Sequence, residues 1–261
     1  MTIFRHEMKQ GRISLMIWTS AIAFLLVVCV LLFPEMKGEM ANVGDMFASM
    51  GSFTEAFGMD QVNFGELKGF YAVECGNVLG LGGAFFAALT AVGMLAKEEK
   101  DHTAEFLLTH PVSRKRVLTG KLLAVFVQLV IMNIVIYGAA VFSMVIIKEA
   151  VPWKEVTLLH VAYFLLQIEI AAICFCISAF LRRGGMGIGL GLATVFYFFN
   201  LIANIADSAK WLKYVTPFGY TEGSDIMSTG VLEADKIAIG IVCAAVSVVI
   251  AFRQYSRKDI S

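Results

Sequence analysis

Six apolar runs, at about 13–33, 71–96, 117–147, 156–181, 186–206 and 237–252, constrain this chain more than any other feature of its sequence. A helix that crosses hydrocarbon needs about 20 mostly apolar residues, and it must pair every backbone polar group internally because no water is present to do so. Each run approaches or exceeds that length, and the third is long enough to begin outside the hydrocarbon. The first run is longer than the apolar segment of a signal peptide, about 7–15 residues, and no small-residue cleavage pattern follows Phe33, so it reads as a retained anchor. Composition agrees: 58% of residues are hydrophobic and 16% charged, where soluble domains run near one half and one quarter. Lys+Arg at 21 equals Asp+Glu at 21, which leaves no basic surplus for phosphates and gives no reason to expect a nucleic-acid partner. The expected fold is all-α: one polytopic membrane domain over 1–261 with six transmembrane helices, short interfacial and coupling helices, and membrane lipid around it.

Orientation follows from the placement of Lys and Arg, which are retained on the cytoplasmic side. The N-terminus, the 97–121 loop, the Arg182-Arg183 loop and the C-terminal tail hold 14 of the 21 basic residues. Both termini are therefore expected in the cytoplasm, in a multi-pass protein of the cell membrane. An even number of crossings gives the same result independently.

Between the runs, residues 1–12 mix Ile3, Phe4 and Met8 with Arg5, Lys9 and Arg12, as suits a short interfacial helix before the chain turns inward. The acidic stretch 34–69 carries Phe47, Met50, Phe53 and Phe57 at helical spacing, which predicts an amphipathic helix. The segment KEEKDHTAEFLLTHPVSRKRVLTGK at 97–121 is long and sharply patterned for a connector. The second span is expected to continue into it and to stop before Pro111. A new helix then restarts at Ser113 as N-cap, with Val112 and Val117 placed as a hydrophobic staple. Arg114, Lys115 and Arg116 fall in its first turn, where the helix dipole disfavours cations, so helix stability does not account for them. Phe106, Leu107 and Leu108 form an apolar knob beside Glu98, Glu99 and Glu105, the pattern of a protein-binding surface.

The run Thr103-Ala-Glu105-Phe-Leu107-Leu108, followed by Pro111-Val-Ser113-Arg114 and Gly120-Lys121, resembles the ABC-2-type transporter permeases. The stretch LKYVTPFGY at 212–220 is similar to that family's Pro-Phe element after the fifth span. His102 stands where many relatives have Gly before the Thr-x-Glu. The resemblance implies that 97–116 is a coupling segment, with Glu98, Glu99, His102, Thr103, Glu105, Phe106, Leu107, Leu108, Pro111 and Arg114 docking on a separate cytoplasmic ABC ATPase. It also implies ATP and Mg bound by that partner with no cofactor on this chain, a second copy or a related permease as the other half, and export of a drug, antimicrobial peptide or lipid-like cargo.

The motifs agree with such a division of labour. No GxxxxGK[ST] is present, because Gly120-Lys121 runs into Leu122. His6-Glu7 lacks the second His of HExxH, and Glu98-Glu99 meets Thr103 where an EExxxR protease signature needs Arg. The five cysteines make no CxxC pair, so neither a metal site nor a catalytic residue is assigned. Polar groups within the spans are the candidates for a substrate path: Glu74, Glu169, and Asn200 with Asn204, four apart on one helical face. For Glu169 the plain alternative is an interhelical hydrogen bond to Gln128, Asn133 or Tyr137. Gly76, Gly80 and Gly83 allow close approach of the second span to a neighbour. The competing classes are a non-transporting scaffold or sensor whose loop binds a partner, and an intramembrane enzyme built on Glu169 or His160.

Overall fold

A computed structural model describes residues 2–49, 51–97, 113–182 and 185–258, the side chains of 39–49, 53 and 60 excepted. The described residues are helical and contain six helices long and apolar enough to cross a membrane. The chain is a multi-pass membrane protein.

Helix α1 (Thr2–Ser49) is continuous, with Pro34 inside it. This corrects two expectations: no break at residue 12 separates an interfacial helix from the first span, and the helix does not stop at Phe33. At 1.5 Å per residue its 48 residues reach about 72 Å, more than twice the hydrocarbon thickness. Ile22, Leu26, Val30 and Phe33 form its buried stripe, while Ile17, Phe24, Leu25 and Leu32 on other faces are exposed. Of the amphipathic pattern expected beyond Pro34, residue 50 and the side chains of 47 and 53 lie outside the described residues, and Phe57 follows the short α2 (Ser52–Ala56).

The second span is α3 (Leu67–Cys75), a π turn (Gly76–Gly80) and α4 (Leu81–Val92). It ends at Val92 with Gly93 as C-cap and a turn over 93–96, so the second span does not run unbroken into the 97–121 segment as expected; residues 98–112 lie outside the described residues. The third span, α5 (Arg114–Ile146), starts where the sequence puts it, with the Ser113 hydroxyl accepting from the Arg116 N–H at 3.3 Å. It is followed by α6 (Trp153–Phe180) and α7 (Met186–Ile205). Two 3₁₀ segments (Asp207–Tyr214 and Pro217–Tyr220), the short α8 (Gly223–Thr229) and α9 (Ala234–Arg257) complete the described chain.

Helix α6 is the hub: α4 packs on one side of it, α9 on another, and α5 also touches it, while α1 lies along α5 and α7 along α4. Its face toward the second span is a polar ladder at helical spacing. His160 Nε2 meets Tyr71 Oη at 2.7 Å, the Tyr163 ring lies against Gly76 and Gly80, and Gln167 sits against Gly83. Further along, the Ser178 hydroxyl accepts from the Leu95 N–H at 2.8 Å. Gly83 is required by this approach, because a Cβ there would stand 2.2 Å from Gln167 Nε2. Gln167 in turn accepts from Asn133 Nδ2 of α5 at 2.6 Å, so three spans meet at one buried amide pair.

Gly83→Leu is accordingly expected to destabilise the helix packing by about 1–3 kcal/mol, the cost of overfilling a packed core. A lowered Tm of the purified protein in detergent checks it, with Gly187→Leu, which faces open space, as the control expected to change little.

Candidate functional site

Ion pairs gather the ends of the spans at the end of the bundle that holds both termini. Glu7 of α1 is 3% exposed and receives two lysines: Lys121 Nζ of α5 at 3.1 Å, and Lys97 just after the second span. Lys121 is fully buried and also donates to the Met94 carbonyl at 2.7 Å, while Lys97 reaches Gln10 at 2.6 Å. The two lysines stand on either side of residues 98–112, so both flanks of that segment are fastened to one carboxylate. Arg114 Nη1 donates to the carbonyls of Tyr255, Ser256 and Lys258 at 3.3, 3.2 and 2.7 Å, and Lys258 Nζ donates to the Leu181 carbonyl at 2.6 Å. Cations on unpaired carbonyls at helix C-termini are favourable. Arg114, awkward for the start of its own helix, is thus a cap for the end of α9. Glu98, Glu99, His102, Thr103, Glu105, Phe106, Leu107, Leu108 and Pro111 lie outside the described residues.

In the middle of the bundle, Glu169 of α6 is 6% exposed and accepts from Tyr220 Oη at 3.0 Å. The interhelical partners expected of it are engaged elsewhere: Gln128 donates to the Ala124 carbonyl, Asn133 to Gln167, and Tyr137 Oη bonds Thr157. The reason is angular. Gln167 faces the α5 amide, and Glu169, two residues on, points about 200° further round the helix. Glu74 of α3 is half-buried and accepts a hydrogen bond from Cys29 Sγ of α1 at 3.6 Å.

At the far end, the structure brings Asn200 and Asn204 together on a group the sequence did not single out, Glu222. Both amide nitrogens donate to its Oε2, at 3.2 and 3.0 Å, and Asn204 Nδ2 also reaches the Ala56 carbonyl at 3.1 Å. Glu222 is brought there by the turn after the Pro-Phe element: Thr216 caps Pro217–Tyr220, and Tyr163 Oη of α6 donates to the Thr221 carbonyl at 3.1 Å. Glu222 borders two cavities, of about 50 and 470 Å³. Gly58, at φ +63°, passes so close that a Cβ would lie 2.6 Å from Glu222 Oε1. Asn77, on the π turn, is exposed and lines the smaller cavity. The sequence offered Glu7 only as part of an incomplete HExxH and Glu222 not at all, because both lie outside the apolar runs, where an acidic residue gives no hydropathy signal.

Among the described residues no cluster of three or more His, Cys, Asp or Glu is placed to hold a metal ion. Compared with known proteins, residues 1–260 match the family model described as "ABC-2 family transporter protein". No curated protein matches the chain.

Removing Glu7 takes the shared carboxylate away from two lysines, Lys121 and Lys97. Glu7→Ala is expected to cost about 3–5 kcal/mol, the range for breaking a buried ion pair from one side. Adding Lys121→Met to Glu7→Ala should recover part of that loss, because it removes the fully buried one of the two lysines that Glu7 pairs, Lys97 being partly exposed. Denaturation of the purified variants in detergent decides it, and additive losses in the double variant would count against the pair.

Proposed function

The chain belongs to the ABC-2 transporter family, and from that premise we propose that it is the membrane-spanning permease subunit of an exporter. ATP, with its Mg, is hydrolysed on a separate cytoplasmic ABC ATPase subunit; this chain moves cargo and breaks no bonds. The termini end of the bundle is its cytoplasmic end in the cell membrane, as the distribution of Lys and Arg implies. A second copy or a related permease forms the other half. Drugs, antimicrobial peptides and lipid-like molecules are the cargo classes that fit, and the single membrane domain over 1–261 carries the path.

The observation that supports this reading best is the double fastening of the 98–112 segment. Its two flanks, Lys97 and Lys121, hold Glu7 of α1, while Arg114 holds the end of α9 and Lys258 the end of α6. A push delivered to the segment by a nucleotide-driven partner therefore reaches α1, α5, α6 and α9 together, instead of bending one loop. In this reading Glu98, Glu99, His102, Thr103, Glu105, Phe106, Leu107, Leu108 and Pro111 form the docking surface, and Arg114 anchors its far flank. Glu74, Glu169, Asn200 and Asn204 are the polar groups along the path.

Affinity isolation of the tagged chain from its native membrane in mild detergent should recover a P-loop ATPase with measurable ATP turnover. Leu107→Asp or Glu105→Lys should leave membrane insertion intact yet lose the ATPase and transport. Wild-type transport by either variant would overturn the coupling assignment, and reproducible recovery of the chain without an ATPase would overturn the permease reading.

A further inference from the structure

We infer that the far-end cavity around Glu222 binds a cationic nitrogen, an ammonium-type headgroup carried by the cargo. The inference rests on the permease reading for the word cargo, and on the geometry of the cavity for the word cation.

An ionised carboxylate only accepts hydrogen bonds, so the amides of Asn200 and Asn204 must present their nitrogens to Glu222 and turn their oxygens away. Those oxygens have no partner among the described residues, and neither does the Ser224 hydroxyl. Asn200 is 8% and Ser224 3% exposed, so these are buried acceptors left open rather than groups lost to solvent. A native interior rarely leaves such groups unpaired. All three residues border the cavities, and Glu222 and Ser224 border both. Acceptors grouped around a carboxylate suit a ligand that brings donors and positive charge.

Two further features agree. The smaller cavity is also walled by Tyr197 and Phe218, packed edge to face at 5.4 Å, and aromatic faces attract cations. The larger cavity has four carboxylates, Glu55, Asp207, Glu222 and Asp225, against two ammonium groups, Lys210 and Lys213, and Lys210 is already paired with Asp207 at 2.7 Å. Size assigns the parts of the ligand. About 50 Å³ holds a headgroup, and the adjoining 470 Å³ lies in the range of about 300–1,000 Å³ that encloses a drug-sized body. A divalent metal is the poorer match, because two of the groups nearest the carboxylate present N–H to it.

The test is isothermal titration of the purified full-length chain in detergent, without nucleotide or ATPase, with hexylammonium, hexanol and Ca²⁺ as probes. Hexylammonium should bind at least about tenfold more tightly than hexanol, and Glu222→Gln should remove that preference, the scale of one charge-assisted hydrogen bond. Lys213→Met, which takes a competing ammonium out of the larger cavity and leaves the hydrogen bonds to Glu222 in place, should strengthen hexylammonium binding, a gain that misfolding cannot produce; it decides the matter if Glu222→Gln fails to fold. Equal binding of hexanol, an unchanged preference in folded Glu222→Gln, no gain in Lys213→Met, or Ca²⁺ binding that hexylammonium cannot displace would each overturn the cation site. Such a failure alongside an intact ATPase complex would leave the permease reading standing, and binding without any ATPase partner would do the reverse.

Discussion

A polar side chain inside an apolar helix bundle has to find its partner within the bundle, and that requirement fixes which helices touch. The Asn133–Gln167 amide pair, the Tyr71–His160 contact and the Tyr220–Glu169 bond each join elements far apart in sequence. Lipid tails offer apolar side chains the same environment as a neighbouring helix does, so greasy surface alone does not choose a partner. Polar pairs and small residues do. The exposed faces of α1, α7 and α9 carry large apolar side chains, Phe24, Phe198 and Val242 among them, each more than half exposed.

The two ends of the bundle solve different problems. At the termini end the groups that tie the helices together are charged: two lysines on Glu7, and an arginine and a lysine on helix C-termini. At the far end the carboxylate of Glu222 is held by two neutral amides, which position it without neutralising it. One end is tied together by ion pairs, and the other leaves acceptors unpaired beside a carboxylate.

Much of the fold was legible in the sequence. The six crossings, the Ser113 cap and the close approach of the Gly83 face all follow from hydropathy, capping chemistry and residue size, which are local. The limits of α1 were not legible, because a helix that outlasts the hydrocarbon is sustained by its neighbours and not by its own pattern. The partner of Glu169 was misjudged because hydropathy counts depth but not direction; its actual partner comes from a turn 51 residues later. Asn200 and Asn204 were legible as a shared face, but the acid they hold lies beyond the span. A coupling role for the residues from Glu98 to Pro111 was expected from resemblance alone.

The π turn at Gly76–Gly80 works as an indexing step. Twelve residues separate Tyr71 from Gly83, and in an unbroken α-helix at 3.6 residues per turn they would stand about 120° apart. A π turn absorbs about one extra residue, which cuts that angle to about 20°. Both then face α6, whose His160 and Gln167, seven residues apart, also differ by about 20°. The second span is therefore two helices clocked to one another by a single surplus residue. Unwinding that turn by one residue would swing α4, and with it Lys97 just beyond its end, through about 100° against α3 without breaking the helix.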